Sequence, residues 1–460
     1  MATSNSSSSV PGRWILAVFA LPALLQGFTH TAASQVLTGI YAKYLGLSLA
    51  ALGSAVLISK IFDAVTDPLI GAWSDSLRRR GVSRKPWIAV GTIVMTVALY
   101  CLFMPPEGVS VFYFTLWYLV LYTGWTVTEI PYKAWSIELT SDYRARTRIA
   151  VILLVTSLLG ALLVFVVPFV GPTLGFAPTK EFTPGTLAVF ALIVVLGAPI
   201  LTWPALRLAP TGYAEESRKK LRRSEMVAAI LGNRPLLYVA GVFLLYSFAS
   251  GMTKGVTFLF LDVYLGLGEQ IAPLLVVTVP MAILAAPAWG WICNRMERHR
   301  AWALGAFGGA IATGLMGFVS PGEAAFATLA ILMTLNFFFD AAAPVAMPSM
   351  LGDVVDYGRV RFGQDHAGLY YSFYTFIQKS VTGAGMASGM ILAEVLGFDA
   401  TADIQSTSGV FGLKAAYCYL PAIITISVVP LLLRFPITRA RQEEISRQLA
   451  QAEQHNEKKT

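Results

Sequence analysis

Asp63 and Asp67 stand one helical turn apart in Lys60-Ile61-Phe62-Asp63-Ala64-Val65-Thr66-Asp67-Pro68, directly after an almost wholly apolar stretch, Leu49 to Ile58. An ionised carboxylate at bilayer depth costs about 3 kcal/mol or more, so such residues are rare and commonly functional. The i, i+4 spacing projects both carboxylates from one helix face, and Lys60 lies one turn earlier on that face. Two like charges this close hold a cation between them, or one of them takes a proton. A structural ion pair with Lys60 does not account for both, because two carboxylates and one lysine leave net charge in an apolar setting. The spacing therefore predicts a cation-binding site inside a transporter, with sodium or a proton as the ion and Thr66 as a neighbouring oxygen ligand.

The whole composition demands such a setting. Of 460 residues 56% are hydrophobic and only 13% charged, with a mean hydropathy of +0.64. Soluble proteins carry about twice that share of charge. The cysteines Cys101, Cys293 and Cys418 all fall in apolar stretches and suggest no disulfide framework. The polar, serine-rich start, Met1 to Gly12, has no basic region or small-residue cleavage signal before Trp14, so the first hydrophobic segment reads as a retained membrane helix. The net charge of +8 does not point to nucleic acid, because the basic residues cluster in short loops between apolar spans.

About 20 apolar residues cross a bilayer as a helix. Twelve such spans are predicted, at 14–42, 49–74, 86–105, 110–138, 148–171, 184–207, 234–264, 270–293, 301–319, 323–351, 366–397 and 409–435, with breaks at turn signals such as Pro105-Pro106-Glu107-Gly108 and Ser320-Pro321-Gly322. Basic clusters follow spans 2, 4, 6, 8 and 10. The loops after spans 3, 7 and 9 have no Lys or Arg, and those after spans 1, 5 and 11 have one each: Lys43, Lys180 and Lys414. By the positive-inside rule both termini are cytoplasmic. The expected location is the plasma membrane, as in a bacterial inner membrane. The longest charged stretch, Ala209 to Ser224, falls at the midpoint. The expected organisation is a cytoplasmic tail at 1–13, a six-helix bundle at 14–207, a cytoplasmic linker at 208–233, a second six-helix bundle at 234–435 and a tail at 436–460. The fold class is thus an all-α integral membrane protein.

Weak internal similarity supports two related halves. Gly71-Ala72-Trp73-Ser74-Asp75 has an echo in Gly290-Trp291-Ile292-Cys293-Asn294, and Glu138 to Arg144 in Gly352 to Arg359. Two parallel six-helix halves around a central cavity is the plan of the major facilitators.

Further polar residues lie within spans. Trp125, Glu129 and Lys133 follow one stripe of span 4 at i, i+4 and i+8. They read either as a self-neutralising Glu–Lys pair or as a cavity wall, with Trp125 an apolar platform and Glu129 a hydrogen-bond acceptor. Lys254 follows Tyr246, Ser250 and Thr253 in span 7, where it either draws an anionic substrate or snorkels outward. Asn336 and Asp340, i and i+4 in span 10, are candidate wall residues. Gln26, His30 and Gln35 are the main polar members of span 1, which has no Asp or Glu. Lys379 in span 11 needs a counter-ion at mid-bilayer, and Asp63 and Asp67 are the expected partners. Asp75, Arg79 and Arg80 close span 2 and look like the superfamily's gate motif. Asp142, Arg144, Asp353 and Asp356 occupy corresponding places after spans 4 and 10. Gly160 in span 5 and Gly383, Gly385 and Gly389 in span 11 predict close helix approach.

A family resemblance now follows from the motifs themselves. Asp63-Ala64-Val65-Thr66-Asp67-Pro68-Leu69-Ile70-Gly71, then Ser83-Arg84-Lys85-Pro86-Trp87, resembles the glycoside–pentoside–hexuronide:cation symporters, the melibiose permease-like branch of the major facilitator superfamily. Glu129-Ile130-Pro131-Tyr132, Gly352-Asp353-Val354-Val355-Asp356-Tyr357-Gly358 and Gln378-Lys379-Ser380 carry the resemblance on to span 11. It implies cation-coupled uptake of a small-molecule substrate by alternating access. It makes Asp63 and Asp67 the cation-binding carboxylates, Thr126 an added hydroxyl ligand and Lys379 the lysine facing that site. Glu129 takes the place of an acidic sugar-binding residue that is Asp in melibiose permease. The sequence departs from that pattern in the acid-free span 1 and at Thr66, where melibiose permease has Asn. The chain is also similar to the sodium-dependent lysophosphatidylcholine symporters of vertebrates, which leaves a lysolipid or other amphiphile as the alternative substrate. No cofactor, no nucleic acid and a monomer within the bilayer are expected. Enzyme chemistry is not expected, as there is no HExxH, no GxSxG and no Cys/His cluster, and the four histidines are scattered.

Overall fold

The computed structural model describes residues 12–140, 143–176, 179–212, 223–364, 366–402 and 404–457. Among them it is built from helices joined by short turns, and each of the twelve predicted spans is helical. Side chains cap the entries: Ser48 Oγ accepts from Ala51 N at 3.2 Å before span 2, Ser110 Oγ from Tyr113 N at 3.2 Å before span 4, and Asn233 Oδ1 from Leu236 N at 3.1 Å before span 7. Nine helices among the described residues are long and apolar enough to cross a membrane. The other three predicted spans are the helices Val111–Glu138, Arg298–Met316 and Ala367–Val395, which are richer in polar, aromatic or charged residues.

The observed helices outrun the apolar segments at their basic ends. Span 2 continues to Arg79 and span 10 to Phe362, so Asp75, Asp353 and Asp356 are helical rather than loop residues. Spans 1, 7 and 12 each contain a π-helical turn, at Ala32–Val36, Phe260–Tyr264 and Ala415–Tyr419. Span 10 breaks at Ala341, between helices Ala325–Asp340 and Ala342–Phe362. Within the segment expected as a linker, Arg223–Gly232 is a helix. The tail forms a 19-residue helix, Arg439–Glu457, anchored by the buried Ile445. Ile445 and Leu449, one turn apart, join the apolar cluster of Leu236, Met350, Val354 and Leu432.

Contacts divide the chain into two compact units. The first holds Met1–Ser217, Leu261–Val276 and Asp399–Ile404; the second holds Arg218–Phe260, Val277–Phe398 and Gln405–Thr460. In the first, span 1 packs on spans 5 and 6, span 3 on spans 4 and 6, and span 2 on span 4. In the second, span 7 packs on spans 11 and 12, span 9 on spans 10 and 12, and span 8 on span 10. The pairing is the same, six spans on. Glycine makes the tightest pairs possible. A methyl on Gly27 would overlap the Ser157 carbonyl and one on Gly160 the Leu24 carbonyl; Gly251 and Gly385 play the same part against Thr382 and Phe248. Large apolar side chains recur every turn on the outward faces, as with Ile93 and Val97 of span 3 and Leu192, Leu196 and Ile200 of span 6. A bilayer, not water, is the solvent that suits such faces.

Candidate functional site

In the first unit the two aspartates are embedded in polar contacts from spans 2 and 4. Asp63 is buried, 5% exposed, and accepts from Lys60 Nζ at 2.9 Å. The same ammonium lies 3.4 Å from the centre of the Tyr122 ring, which supplies a second, cation–π, contact. Thr126, 1% exposed, donates its hydroxyl to Asp67 Oδ1 at 2.7 Å. Thr66 donates to the Phe62 carbonyl of its own helix at 3.0 Å; only its lone pairs remain for a cation. Two carboxylates, one ammonium and a buried hydroxyl are thus gathered on spans 2 and 4.

One turn further along span 4, Glu129 accepts from Trp125 Nε1 at 2.9 Å and from Lys133 Nζ at 2.7 Å. Lys133 thus neutralises Glu129, as the self-paired reading of this stripe expected, while Trp125 aligns the carboxylate. The His30 and Trp125 rings are 5.5 Å apart, and the Phe19 ring is 5.0 Å from Tyr132 and 4.8 Å from Trp135. Spans 1 and 4 therefore run antiparallel in contact, which puts Gln26 level with Glu129. The Gln26 amide is buried, and its Nε2 has no hydrogen-bond partner among the described residues. An unsatisfied buried donor costs about 1–3 kcal/mol, which a ligand acceptor would recover.

At the basic ends of the spans the expected residues are partly replaced. Arg79 and Arg80 are exposed. Their neighbours Arg78 and Arg84 form the network instead. Arg84 reaches Glu138 at 2.7 Å, Asp75 at 2.7 Å and Ser74 at 2.8 Å, and Arg78 bonds Glu138 at 3.0 Å and the Gly212 carbonyl at 2.8 Å. Gly212 has φ +77° and sits against the Glu138 backbone, a place no side chain fits. Helix phase explains the exchange: Arg78 faces span 4, and the next two arginines rotate away. Asp142 and the Arg144 side chain lie outside the described residues. In the second unit Arg298 Nη1 donates to both oxygens of Asp353, at 2.7 and 2.8 Å, and Asp356 accepts from Arg359 at 3.3 Å and Gln442 at 3.0 Å.

The remaining candidates also lie in the second unit. Lys379 is half-buried on Ala367–Val395. Asn336 is tied to span 9, donating to Thr313 Oγ1 at 2.9 Å and the Gly309 carbonyl at 3.3 Å. Lys254 and Asp340 are accessible, and Tyr246 donates to Asp340 Oδ1 at 3.5 Å. No group of three or more His, Cys, Asp or Glu with metal-holding geometry occurs among the described residues.

Residues 18–439 match the family described as MFS/sugar transport protein, and the chain belongs to that family. It is a multi-pass membrane transporter of the major facilitator superfamily. The chain is 25% identical to the putative glycoside/cation symporter YagG of Escherichia coli (strain K12), over 92% of each chain. It is 22% identical to the sodium-dependent lysophosphatidylcholine symporter 1-A of Danio rerio, over 86% of this chain and 80% of the relative. Its fold is that of the D-xylose-proton symporter crystal structure, with a TM-score of 0.66 at 14% identity, covering 92% of this chain and 97% of that one.

Proposed function

We propose that this protein is a cation-coupled symporter, driven by sodium or protons, that imports a glycoside or sugar acid by alternating access. One observation carries the reading: Asp63 and Asp67 lie on one face of a membrane helix, with the buried Thr126 hydroxyl bonded to Asp67. In this reading Asp63, Asp67 and Thr126 hold the ion and Thr66 adds a lone pair. Gln26, His30, Trp125 and Glu129 present a platform and polar groups to a sugar, with Lys133 neutralising Glu129. Lys379 is assigned a role in sensing the ion's charge. Transport against a gradient needs the ion and the substrate to bind with mutual preference, and that coupling is reciprocal.

The test is uptake into proteoliposomes with an imposed sodium or proton gradient. Asp63→Asn and Asp67→Asn are expected to fold, since each substitution relieves charge, and to lose concentrative uptake while retaining downhill exchange. Normal cation-driven accumulation by either variant would sink the cation-site assignment. Similarity to the lysophosphatidylcholine symporter of Danio rerio favours a second reading, a lysolipid or other amphiphile as cargo. Counterflow of radiolabelled glycosides against fluorescent lysolipids separates the two.

A further inference from the structure

Span 7 of the second unit spends most of its surface on packing. Gly251 and Gly255 meet span 11 at Thr382 and Met386, and the Thr253 hydroxyl bonds the Tyr417 carbonyl of span 12 at 3.2 Å. The stripe left over is Tyr246, Ser250 and Lys254, at i, i+4 and i+8. Lys254 is the twenty-first residue of the 26-residue helix Arg234–Leu259, well away from either end of the 31-residue span that continues to Tyr264. Asp340 ends the first helix of the broken span 10, far from the tip at Ala325. Both are accessible although both lie within membrane segments. Charge at that depth is tolerated where it lines a water-filled cavity.

The cluster is held from behind. Tyr246 is set edge-on against the Trp302 ring at 5.6 Å and 83°, and its hydroxyl steadies Asp340. Span 9 comes close enough that Gly309 borders the Asp340 carboxylate. Lys254 and Asp340 act on each other electrostatically. Yet among the described residues the Lys254 ammonium has neither a hydrogen bond nor an ion pair. The cluster thus offers a carboxylate acceptor held by one O–H donor and an ammonium with three donors to give.

We infer that Lys254, Asp340 and Tyr246 form a recognition site in the second unit for a ligand that carries a carboxylate beside hydroxyl groups, and that Lys254 selects such acids over their neutral counterparts. This rests on the reading of the protein as a sugar-type symporter and narrows its cargo. The ammonium takes the carboxylate, a charge-assisted bond of the stronger kind. Asp340, already oriented by one O–H donor, accepts from ligand hydroxyls. Selection arises because a neutral ligand leaves the ammonium without an acceptor in the closed site.

The experiment is calorimetric binding to the purified full chain, at one fixed sodium concentration and pH, of methyl β-D-glucuronide, methyl β-D-glucoside and lysophosphatidylcholine. The wild type is expected to prefer the uronide tenfold or more. Lys254→Gln should bring the two sugars within twofold of each other, Lys254→Arg should keep the preference, and Asp340→Asn should weaken both. A wild-type ratio near one, an unchanged ratio in Lys254→Gln, or binding of the lysolipid with neither sugar would overturn the inference. Loss of ion coupling moves both affinities together and leaves the ratio alone, so the cation reading and this one fail separately. Should Lys254→Gln not fold, acetylation footprinting of the wild type decides: the uronide should protect Lys254 about threefold and the glucoside should not, and equal protection overturns the site.

Discussion

Thr126 tests what the aspartates bind. Its hydroxyl donates to Asp67 from a fully packed position, and a hydrogen bond to an ionised group contributes about 1.5–3 kcal/mol. Thr126→Val removes both that donor and a lone pair that a sodium ion would use. With sodium as the coupling ion, half-saturation of uptake should need about tenfold more sodium, roughly 1.4 kcal/mol of lost binding, and Thr126→Ser should stay near wild type. With a proton as the coupling ion, Thr126→Val should leave uptake independent of sodium, as in the wild type. Initial rates across sodium concentration distinguish these, and unaltered half-saturation in a sodium-driven wild type would remove Thr126 from the site. The aspartates themselves were legible in sequence because charge in an apolar helix is conspicuous. Thr126 was named only through resemblance, and the Tyr246–Asp340 bond was not foreseen at all, since it joins spans 94 residues apart.

Among helices, the repeat is the organising fact. Arg84 opens span 3 and holds Glu138 at the end of span 4; Arg298 opens span 9 and holds Asp353 at the end of span 10. Sequence showed the echo between Glu138 to Arg144 and Gly352 to Arg359, but it offered four arginines near span 2 and no means of choosing among them. The helix had to run to Arg79 before phase decided the matter. Likewise, the docked tail depends on Ile445 and Leu449 meeting the apolar cluster of the second unit, a contact that a mostly polar segment barely announces. The two clamps should differ in strength. Both side chains of the Arg84–Glu138 pair are under 10% exposed, at 8% and 9%, whereas Arg298 is 44% exposed against 12% for Asp353. Stranding a fully buried charge costs about 3 kcal/mol or more; Glu138 would keep Arg78, so the loss of Arg84 should fall below that but well above a solvated pair. A solvated pair is worth about 1 kcal/mol or less. Arg84→Ala should therefore lower stability, read by tryptophan fluorescence during denaturation, several times more than Arg298→Ala. The pairs share no partner, so the double variant should equal the sum within about 0.5 kcal/mol. A larger loss from Arg298→Ala would show that exposure does not set the ranking.

For the molecule as a whole, the proposed alternating-access cycle requires that any contact closing one end break once per cycle. Lys43 ends span 1 and is the sole basic residue of its loop; Asp262 lies in the π-turn of span 7. Their side chains meet at 2.5 Å within the first compact unit, with Asp262 2% and Lys43 28% exposed. Lys43 also lies 4.8 Å from the Tyr44 ring centre, and Glu181 and Gly268 crowd the same spot. On the orientation expected from the positive-inside pattern, these ends would face away from the cytoplasm. A near-dry ion pair is too costly to leave half-made, so removing one partner should disfavour the paired conformation strongly, whereas exchanging both charges should largely restore it. Lys43→Ala and Asp262→Ala are each expected to slow cation-driven uptake, and Lys43→Asp combined with Asp262→Lys to recover much of it. Clamping the pair tests the same point in reverse. Cysteines at 43 and 262, in a background without Cys101, Cys293 and Cys418, can be joined by a short bifunctional maleimide. The joined protein should still bind the coupling ion and should stop transporting. Uptake at the wild-type rate with the bridge in place would mean that the Lys43–Asp262 contact persists through the cycle, and the pair would then be a fixed brace.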